Sequence, residues 1–128
     1  MNDIYISENF KLSEFESPDT KEVKVDEELV DKLEQLRNKV NIGQDDELGL
    51  VINSAYRTPE HNKSVGGVDD SQHPKGTAAD VSLHNLPYNA DNMERLANKI
   101  GFNGIGKYNT FIHLDVRSNE QARWDNRG

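Results

Sequence analysis

Apolar residues recur at helical spacing in two segments of the chain. In residues 25–40, VDEELVDKLEQLRNKV, spacings of three and four positions align one apolar stripe, and Asp26 is suited to cap the first turn. In residues 89–102, NADNMERLANKIGF, a similar stripe ends at Gly101, a residue type that closes helices in the left-handed conformation. We therefore predict two helices. Their apolar stripes consist of Val25, Leu29, Leu33, Leu36 and Val40 in the first, and Met93, Leu96, Ala97 and Ile100 in the second.

Short apolar runs predict four strands. They are LGLVINSAYR, TAADVSL, GIGKY and FIHLDVR, at residues 48–57, 77–83, 104–108 and 111–117. The last two form a hairpin with its turn around Asn109. Between the first two, residues 58–76 are rich in Pro, Gly, Asn, Asp, Ser and His, which predicts a long loop of the kind that is often functional. Segregated helices and strands predict an α+β fold, with a small, mainly antiparallel sheet and helices packed on one side.

The length of 128 residues predicts a single domain that spans residues 1–128. Within it, residues 1–24 form a polar arm that we expect to pack on the body through scattered apolar side chains. Those side chains are Ile4, Ile6, Phe10, Leu12 and Phe15. In the long loop, Gly66 and Gly67 indicate a turn with positive φ.

Charge and composition narrow the classes of function. The chain carries 15 basic and 23 acidic residues, a formal net charge of −8, which does not favour binding to nucleic acid or anionic membranes. It has no cysteine, so disulfides and cysteine-ligated zinc are excluded and a metal site would need His, Asp or Glu. The N-terminal residues lack the pattern of a signal peptide, and no apolar run approaches the roughly 20 residues of a membrane span.

Two predicted strands carry charged side chains among apolar ones. In FIHLDVR, side chains alternate between faces, so His113, Asp115 and Arg117 lie on one face and Ile112, Leu114 and Val116 on the other. In TAADVSL, Asp80 shares a face with small residues, and an ionised aspartate there needs a cation or a hydrogen-bond network. Burying such groups without partners is costly, so we predict that they line a cleft.

His73 from the loop and Asp80 and His113 from two strands could converge on a single ion. Two imidazoles and one carboxylate form a ligand set typical of catalytic zinc, with the fourth position left for water. The alternative is a histidine that is satisfied in the core and an aspartate that caps a turn. The spacing alone leaves both interpretations open.

Longer motifs surround these three residues. The stretch SAYRTPEHNKSVGGVDDSQHPKGTAADV contains S-[AG]-Y-R and S-x-H-x(2)-G-x-A-x-D patterns, and FIHLDVR supplies a later histidine on a strand. Together they resemble the M15 family of zinc D-Ala-D-Ala peptidases. GIGKYNTFIHLDVR and the pair Arg123-Trp124 also resemble the branch of small D-Ala-D-Ala carboxypeptidase-like domains. The resemblance covers residues 8 to 124, and it implies the α+β fold shared by hedgehog proteins and D-Ala-D-Ala peptidases.

The resemblance also implies roles for individual residues. The Zn²⁺ ligands that it implies are His73, Asp80 and His113. Arg57 would stabilise an oxyanion or hold a substrate carboxylate, for which its planar guanidinium is suited. Ser71 would bind substrate or support the metal site.

The sequence departs from this family at one position. Several members place a glutamate three residues before the last zinc ligand, where it serves as general base, and this chain has Thr110 there. Asp115 lies two residues after His113 on the same strand face and is the expected catalytic substitute. It could equally orient a ligand histidine from outside the metal site.

The remaining candidates have simpler expected roles. Tyr108 starts the hairpin turn and is expected to line the substrate cleft. We expect His61 at the surface beside the cleft and His84 in a solvated loop. Tyr56 is expected in the core, and Trp124 is expected to pack the C-terminus rather than to bind substrate.

The leading interpretation is a zinc metallopeptidase that hydrolyses an amide bond in the stem peptides of peptidoglycan. The bond is either the terminal D-Ala-D-Ala bond, cut by a carboxypeptidase, or an internal bond such as L-Ala-D-Glu, cut by an endopeptidase. A second interpretation is a zinc-containing module that binds cell-wall peptides, or serves in a phage particle, without hydrolysis. A third is a metal-free structural domain.

The expected partner is the stem peptide, with no nucleic-acid or membrane partner, and we expect a monomer. Because no signal peptide is recognised, we expect synthesis in the cytoplasm and action at the cell wall. This pattern is typical of a lysis protein encoded by a phage or prophage, or of a virion-associated protein. A lysis protein would reach the wall through a partner such as a holin.

Overall fold

The chain folds around one five-stranded sheet. The structure is a computed structural model that describes residues 2–68 and 70–128. The α-helices in this part of the chain are α1 (Glu27–Val40), α2 (Pro59–Ser64) and α3 (Ala90–Ile100), and the 3-10 helices are Leu12–Phe15 and His73–Lys75. The strands are β1 (Ile52–Ser54), β2 (Ala78–Ser82), β3 (Gly104–Lys107), β4 (Phe111–Asp115) and β5 (Ala122–Asp125).

The two long helices begin and end where the sequence predicts. The Asp26 carboxylate accepts a hydrogen bond from the Glu28 N–H at 2.8 Å, so α1 starts with a satisfied donor. Helix α3 ends at Gly101, whose φ of +103° is in the left-handed region. The stripe of α1 is buried in the core apart from Val25, which lies just before the helix and is half-buried.

The sheet is mainly antiparallel, as predicted for an α+β fold. Its strand order is β1-β2-β4-β3-β5, and β5 pairs in parallel with β3. The pairing of β2 with β4 sets Asp80 opposite His113. Strand β5 was not predicted, because ARWD has neither an apolar run nor a regular alternation. None of the helices in the described part of the chain has the length and apolar character that a membrane crossing needs.

The region expected to be one long loop contains a helix. Thr58 accepts a hydrogen bond from the His61 N–H at 3.1 Å, and Pro59 occupies the first turn of α2. The prediction of positive φ is confirmed at Gly66, at +75°, and is wrong for Gly67. Gly67 instead serves close packing, because a Cβ there would lie 2.1 Å from the Asn62 Oδ1.

The N-terminal arm contributes to the core through its two phenylalanines. Phe10 and Phe15 are buried and pack edge to face, with ring centroids 6.0 Å apart. Ile6 and Leu12 are half-buried. The expectation for Ile4 is wrong, because its side chain is 57% exposed.

Glu34 of α1 ties the arm to the body. Its carboxylate accepts hydrogen bonds from the Ser7 hydroxyl at 2.6 Å, the Asn9 backbone N–H at 2.7 Å and the Asn9 side-chain amide at 2.6 Å. Burial raises the pKa of Glu34, but these hydrogen bonds outweigh burial and hold the pKa below its usual value of 4.5. The folded state therefore favours the charged carboxylate.

We predict that Glu34→Gln lowers the free energy of unfolding by about 1–2 kcal/mol, because hydrogen bonds to a charged acceptor are lost. Since the folded pKa is depressed, the deficit relative to wild type is full above pH 4.5 and shrinks as the pH falls through the folded pKa. Urea titrations at several pH values measure it. The exposed neighbour Gln35 provides a control, Gln35→Ala, and an equal loss in that variant would contradict the role of Glu34.

Candidate metal centre and cleft

Three predicted ligands meet at the centre of the sheet. His73 comes from the 3-10 helix, Asp80 from β2 and His113 from β4, and all three are buried. Their potential ligand atoms lie within 4.8 Å of one another. The Asp80 Oδ1 is 2.9 Å from His113 Nδ1 and 3.3 Å from His73 Nε2. The structure thus brings together the set that the sequence singled out.

The local backbone explains how His73 reaches this position. The Ser71 hydroxyl accepts a hydrogen bond from the His73 N–H at 3.2 Å and holds the start of the turn. Gly76 ends the turn with a φ of +76°, and a Cβ there would lie 2.8 Å from the Lys24 carbonyl oxygen. Only glycine fits both constraints, so the chain can pass from His73 into β2 within a few residues.

The outer nitrogen of each imidazole has its own partner. His73 Nδ1 lies 2.6 Å from the Ala55 carbonyl oxygen, which can only accept, so this nitrogen carries the proton. His113 Nε2 lies 2.7 Å from the Asp115 Oδ2. In a metal site, such partners fix the tautomer of each imidazole and direct the lone pair of its other nitrogen toward the ion. Here His73 Nε2 and His113 Nδ1 hydrogen-bond to Asp80, and these two nitrogens and the Asp80 oxygen would be the donors to a cation.

The electrostatics of the cluster favour a bound cation. Burial raises the pKa of Asp80, but hydrogen bonds from His113 and His73 outweigh burial and hold that pKa well below its usual range. Burial lowers the pKa of His113, whereas Asp115 and Asp80 raise it, and the net direction is upward. A charged carboxylate thus lies between two imidazoles. This N,N,O donor set fits zinc, which is commonly bound by two histidines and a carboxylate.

Asp115 lies outside this donor set, on the far side of His113. It is fully buried and accepts two hydrogen bonds from the Arg117 guanidinium, at 2.8 and 2.7 Å. Burial raises its pKa, but the bonds from Arg117 and His113 outweigh burial and hold the pKa well below its usual range. Of the two roles predicted for Asp115, its position supports orienting His113. A general base would need to face the cleft, and Asp115 is not among the described residues that line it.

The ligands lie in a cleft of about 490 Å³ that Arg57, Ser71 and Tyr108 also line. Arg57 is held by the Ser54 hydroxyl at 3.1 Å and the Asn62 side-chain oxygen at 3.1 Å. Its Nη2 lies 3.5 Å from the Asp80 Oδ2, so a guanidinium stands directly beside the donor set. All three residues expected to contact substrate are therefore found at the cleft.

Sequence reasoning missed two residues of the cleft region. Asn62 lies in α2, and its side-chain oxygen accepts a hydrogen bond from Arg57. The pair Thr58-Pro59, an N-cap residue followed by proline in the first turn, could have predicted the start of that helix. Trp124 lines the cleft, and its ring centroid lies 5.0 Å from that of His113. We expect Trp124 to pack the C-terminus rather than to bind substrate, and the structure places its indole at the cleft because β5 pairs with β3.

The other candidates lie away from the cluster. His84 is exposed and His61 is half-buried, and neither belongs to the group of potential ligands found in the described residues. Tyr56 is buried, in agreement with the expectation.

Comparison with known proteins identifies the family to which the chain is similar. The family described as Peptidase M15 matches residues 8–115, which is most of the chain and includes all three ligand candidates. Among curated proteins, none matches the chain. The sequence resemblance to M15 peptidases is confirmed by this match, which does not extend to the D-Ala-D-Ala carboxypeptidase type.

We predict that the protein binds one zinc ion per chain and that His113→Ala loses it, because one nitrogen donor is removed. His84→Ala, which alters an exposed histidine, should retain the ion. Metal content after dialysis measures the effect, and circular dichroism tests whether the fold persists. Full zinc content in folded His113→Ala would contradict the ligand assignment.

We predict that Asp115→Asn weakens zinc affinity about 10- to 100-fold, because the variant loses the charged partner that orients His113. Competition with a chelator measures the affinity. Asp70→Asn, at an exposed residue that lines the same cleft, is the matched control. Unchanged affinity combined with lost hydrolysis would instead identify Asp115 as a general base.

Proposed function

We propose a substrate for this chain from the following premise: the chain belongs to the peptidase M15 family, whose members are zinc metallopeptidases. We infer that it hydrolyses an amide bond in the stem peptides of peptidoglycan. The observation that carries the proposal is the buried set of His73, Asp80 and His113, which lines a cleft with Arg57 beside it. The motif resemblance to D-Ala-D-Ala peptidases supports the choice of wall peptides as substrate.

The donor set provides the site for the hydrolytic reaction. Zinc bound to His73, Asp80 and His113 would supply a Lewis acid and a water whose pKa is lowered to about 7. Asp115 and the Ala55 carbonyl keep the two imidazoles in the required tautomers. Because these partners are already in place, the side chains need little reorganisation before they act.

Arg57 is the residue proposed to handle negative charge on the substrate. Its guanidinium is held by Ser54 and Asn62, so its direction is fixed before substrate arrives. From there it could donate to the oxyanion that develops on the attacked carbonyl, or to a substrate carboxylate. Ser71 and Tyr108 line the same cleft and are proposed to contact the peptide.

A second candidate function is the binding of wall peptides through zinc without hydrolysis. Two observations favour it. Thr110 occupies the position of the family's glutamate, and the Asp115 carboxylate is engaged by Arg117 and His113 away from the cleft. We also propose that the protein acts at the cell wall, and that it serves phage or prophage lysis.

We predict that the zinc-loaded protein releases a new product from purified peptidoglycan, and that a chelator or His113→Ala prevents its formation. Mass spectrometry of the muropeptides measures this, and the product mass distinguishes a carboxypeptidase from an endopeptidase. His84→Ala serves as the active control. Binding to several wall types without any product, by protein that holds stoichiometric zinc, would favour the non-hydrolytic module.

A further inference from the structure

Trp124 lies next to the donor set, a position that packing of the C-terminus does not explain. Its indole covers Gly106 of β3, since a Cβ on that glycine would lie 2.3 Å from the Trp124 Cε2. Gly106 itself is opposite His113 in the β3–β4 ladder. The indole therefore extends across Gly106 to His113. The planes of the indole and the imidazole form an angle of 45°. Trp124 lies beyond the residues matched by the family, which end at Asp115.

Two more aromatic rings continue from Trp124 along the cleft. The Trp124 Nε1–H donates a hydrogen bond to the Tyr108 hydroxyl oxygen at 3.0 Å. Tyr108 stacks on Phe111, with ring centroids 4.3 Å apart and an interplanar angle of 10°. Tyr108, Phe111 and Trp124 all line the cleft, and we call them the aromatic wall.

The strand that carries Trp124 is anchored on both sides of it. Arg123 donates hydrogen bonds to the Asn103 carbonyl oxygen at 2.8 Å and to the Asn98 side-chain oxygen at 2.6 Å. Arg127 lies 3.1 Å from the Asp91 carboxylate of α3. The wall is thus fixed in the absence of ligand, so binding to it costs little ordering of side chains.

The two flanks of the donor set differ in chemistry. In the strand order, Asp80 and His113 lie on β2 and β4, between β1 and the β3–β5 pair. Arg57 donates a hydrogen bond to the Ser54 hydroxyl of β1 and forms a cationic flank of the donor set. The aromatic wall forms the opposite flank. A peptide that crosses the strands would meet a charge on one side of the scissile bond and aromatic rings on the other.

We propose that the aromatic wall is a substrate subsite for an uncharged residue with an alkyl side chain, on the side of the scissile bond away from Arg57. Aromatic faces favour contact with C–H groups and peptide planes. Arg117 already occupies the position of a cation over the Trp124 ring, with its guanidinium carbon 5.5 Å from the ring centroid, so that face is not available to a cationic side chain of the substrate. An alanyl residue has this chemistry. The inference rests on the proposed function, since it assigns a position within a peptide substrate.

The chain contains a built-in probe for this subsite, because Trp124 is its only tryptophan. The zinc-loaded protein is mixed rapidly with the synthetic stem peptide L-Ala-D-Glu-L-Lys-D-Ala-D-Ala, and tryptophan fluorescence and hydrolysis are recorded separately. We expect the emission to change on binding. Gly106→Ala should abolish this change, because its Cβ displaces the indole, whereas Gly49→Ala, which adds a Cβ in open space, should preserve it.

Kinetics give a second measurement. We expect Trp124→Ala to raise KM roughly 3- to 10-fold, with kcat and zinc content nearly unchanged, and Trp124→Phe to stay close to wild type. Replacing each alanine of the peptide by glycine identifies the bound residue. At the peptide position that contacts the aromatic wall, loss of the methyl group should weaken binding of the peptide to wild-type protein. The same loss should leave binding of the peptide to Trp124→Ala unaffected.

The outcomes separate the two proposals. Hydrolysis by wild type without an emission change, and with an unaltered KM in Trp124→Ala, overturns the subsite and leaves the proposed function intact. Loss of zinc from folded Trp124→Ala also overturns the subsite, because the indole would then act through His113. An emission change without hydrolysis leaves the subsite standing and overturns hydrolysis. If Trp124→Ala fails to fold, the Gly106→Ala and Gly49→Ala comparison decides.

Discussion

The structure depends on a buried carboxylate between two imidazoles. The register of β2 with β4 places Asp80 opposite His113, and the turn that ends at Gly76 brings His73 to the same oxygen. A buried charge is tolerated only where partners satisfy it, so the surrounding contacts follow from this one requirement. The Ala55 carbonyl and the Asp115 carboxylate hold the outer nitrogens of the rings, and Arg117 in turn neutralises Asp115.

The same requirement explains the two glycines in GIGK. Gly104 is opposite Asp115, and a Cβ there would lie 2.2 Å from the Asp115 Oδ2. Gly106 is opposite His113 and lies beneath the Trp124 indole. Strand β3 can therefore carry no side chains on the face that is turned toward the site. The Asp115 carboxylate and the Trp124 indole both lie over that face of the strand. The two glycines are packing constraints, and neither has the positive φ that a turn would require.

Local patterns predicted most of this arrangement. Alternation along FIHLDVR placed His113 and Asp115 on one polar face. Helical spacing predicted α1 and α3, with Asp26 at the start of the first and Gly101 at the end of the second. Alternation could not tell which ring nitrogen Asp115 would meet, because that depends on the register of the neighbouring strands. For the same reason the position of Trp124 could not be predicted: it depends on β5 pairing in parallel with β3, a contact between segments that local sequence does not encode.

The charge balance of the site bears on how an acidic chain could attract a wall peptide. The net charge of −8 gives no general attraction for carboxylates. Within the site, Arg57 and Arg117 face the carboxylates of Asp80 and Asp115, so these four charges cancel. These four side chains would then not balance the two positive charges of a bound zinc ion. We therefore expect the attraction of an anionic peptide to depend on metal loading as well as on Arg57, so that metal content affects substrate binding as well as hydrolysis.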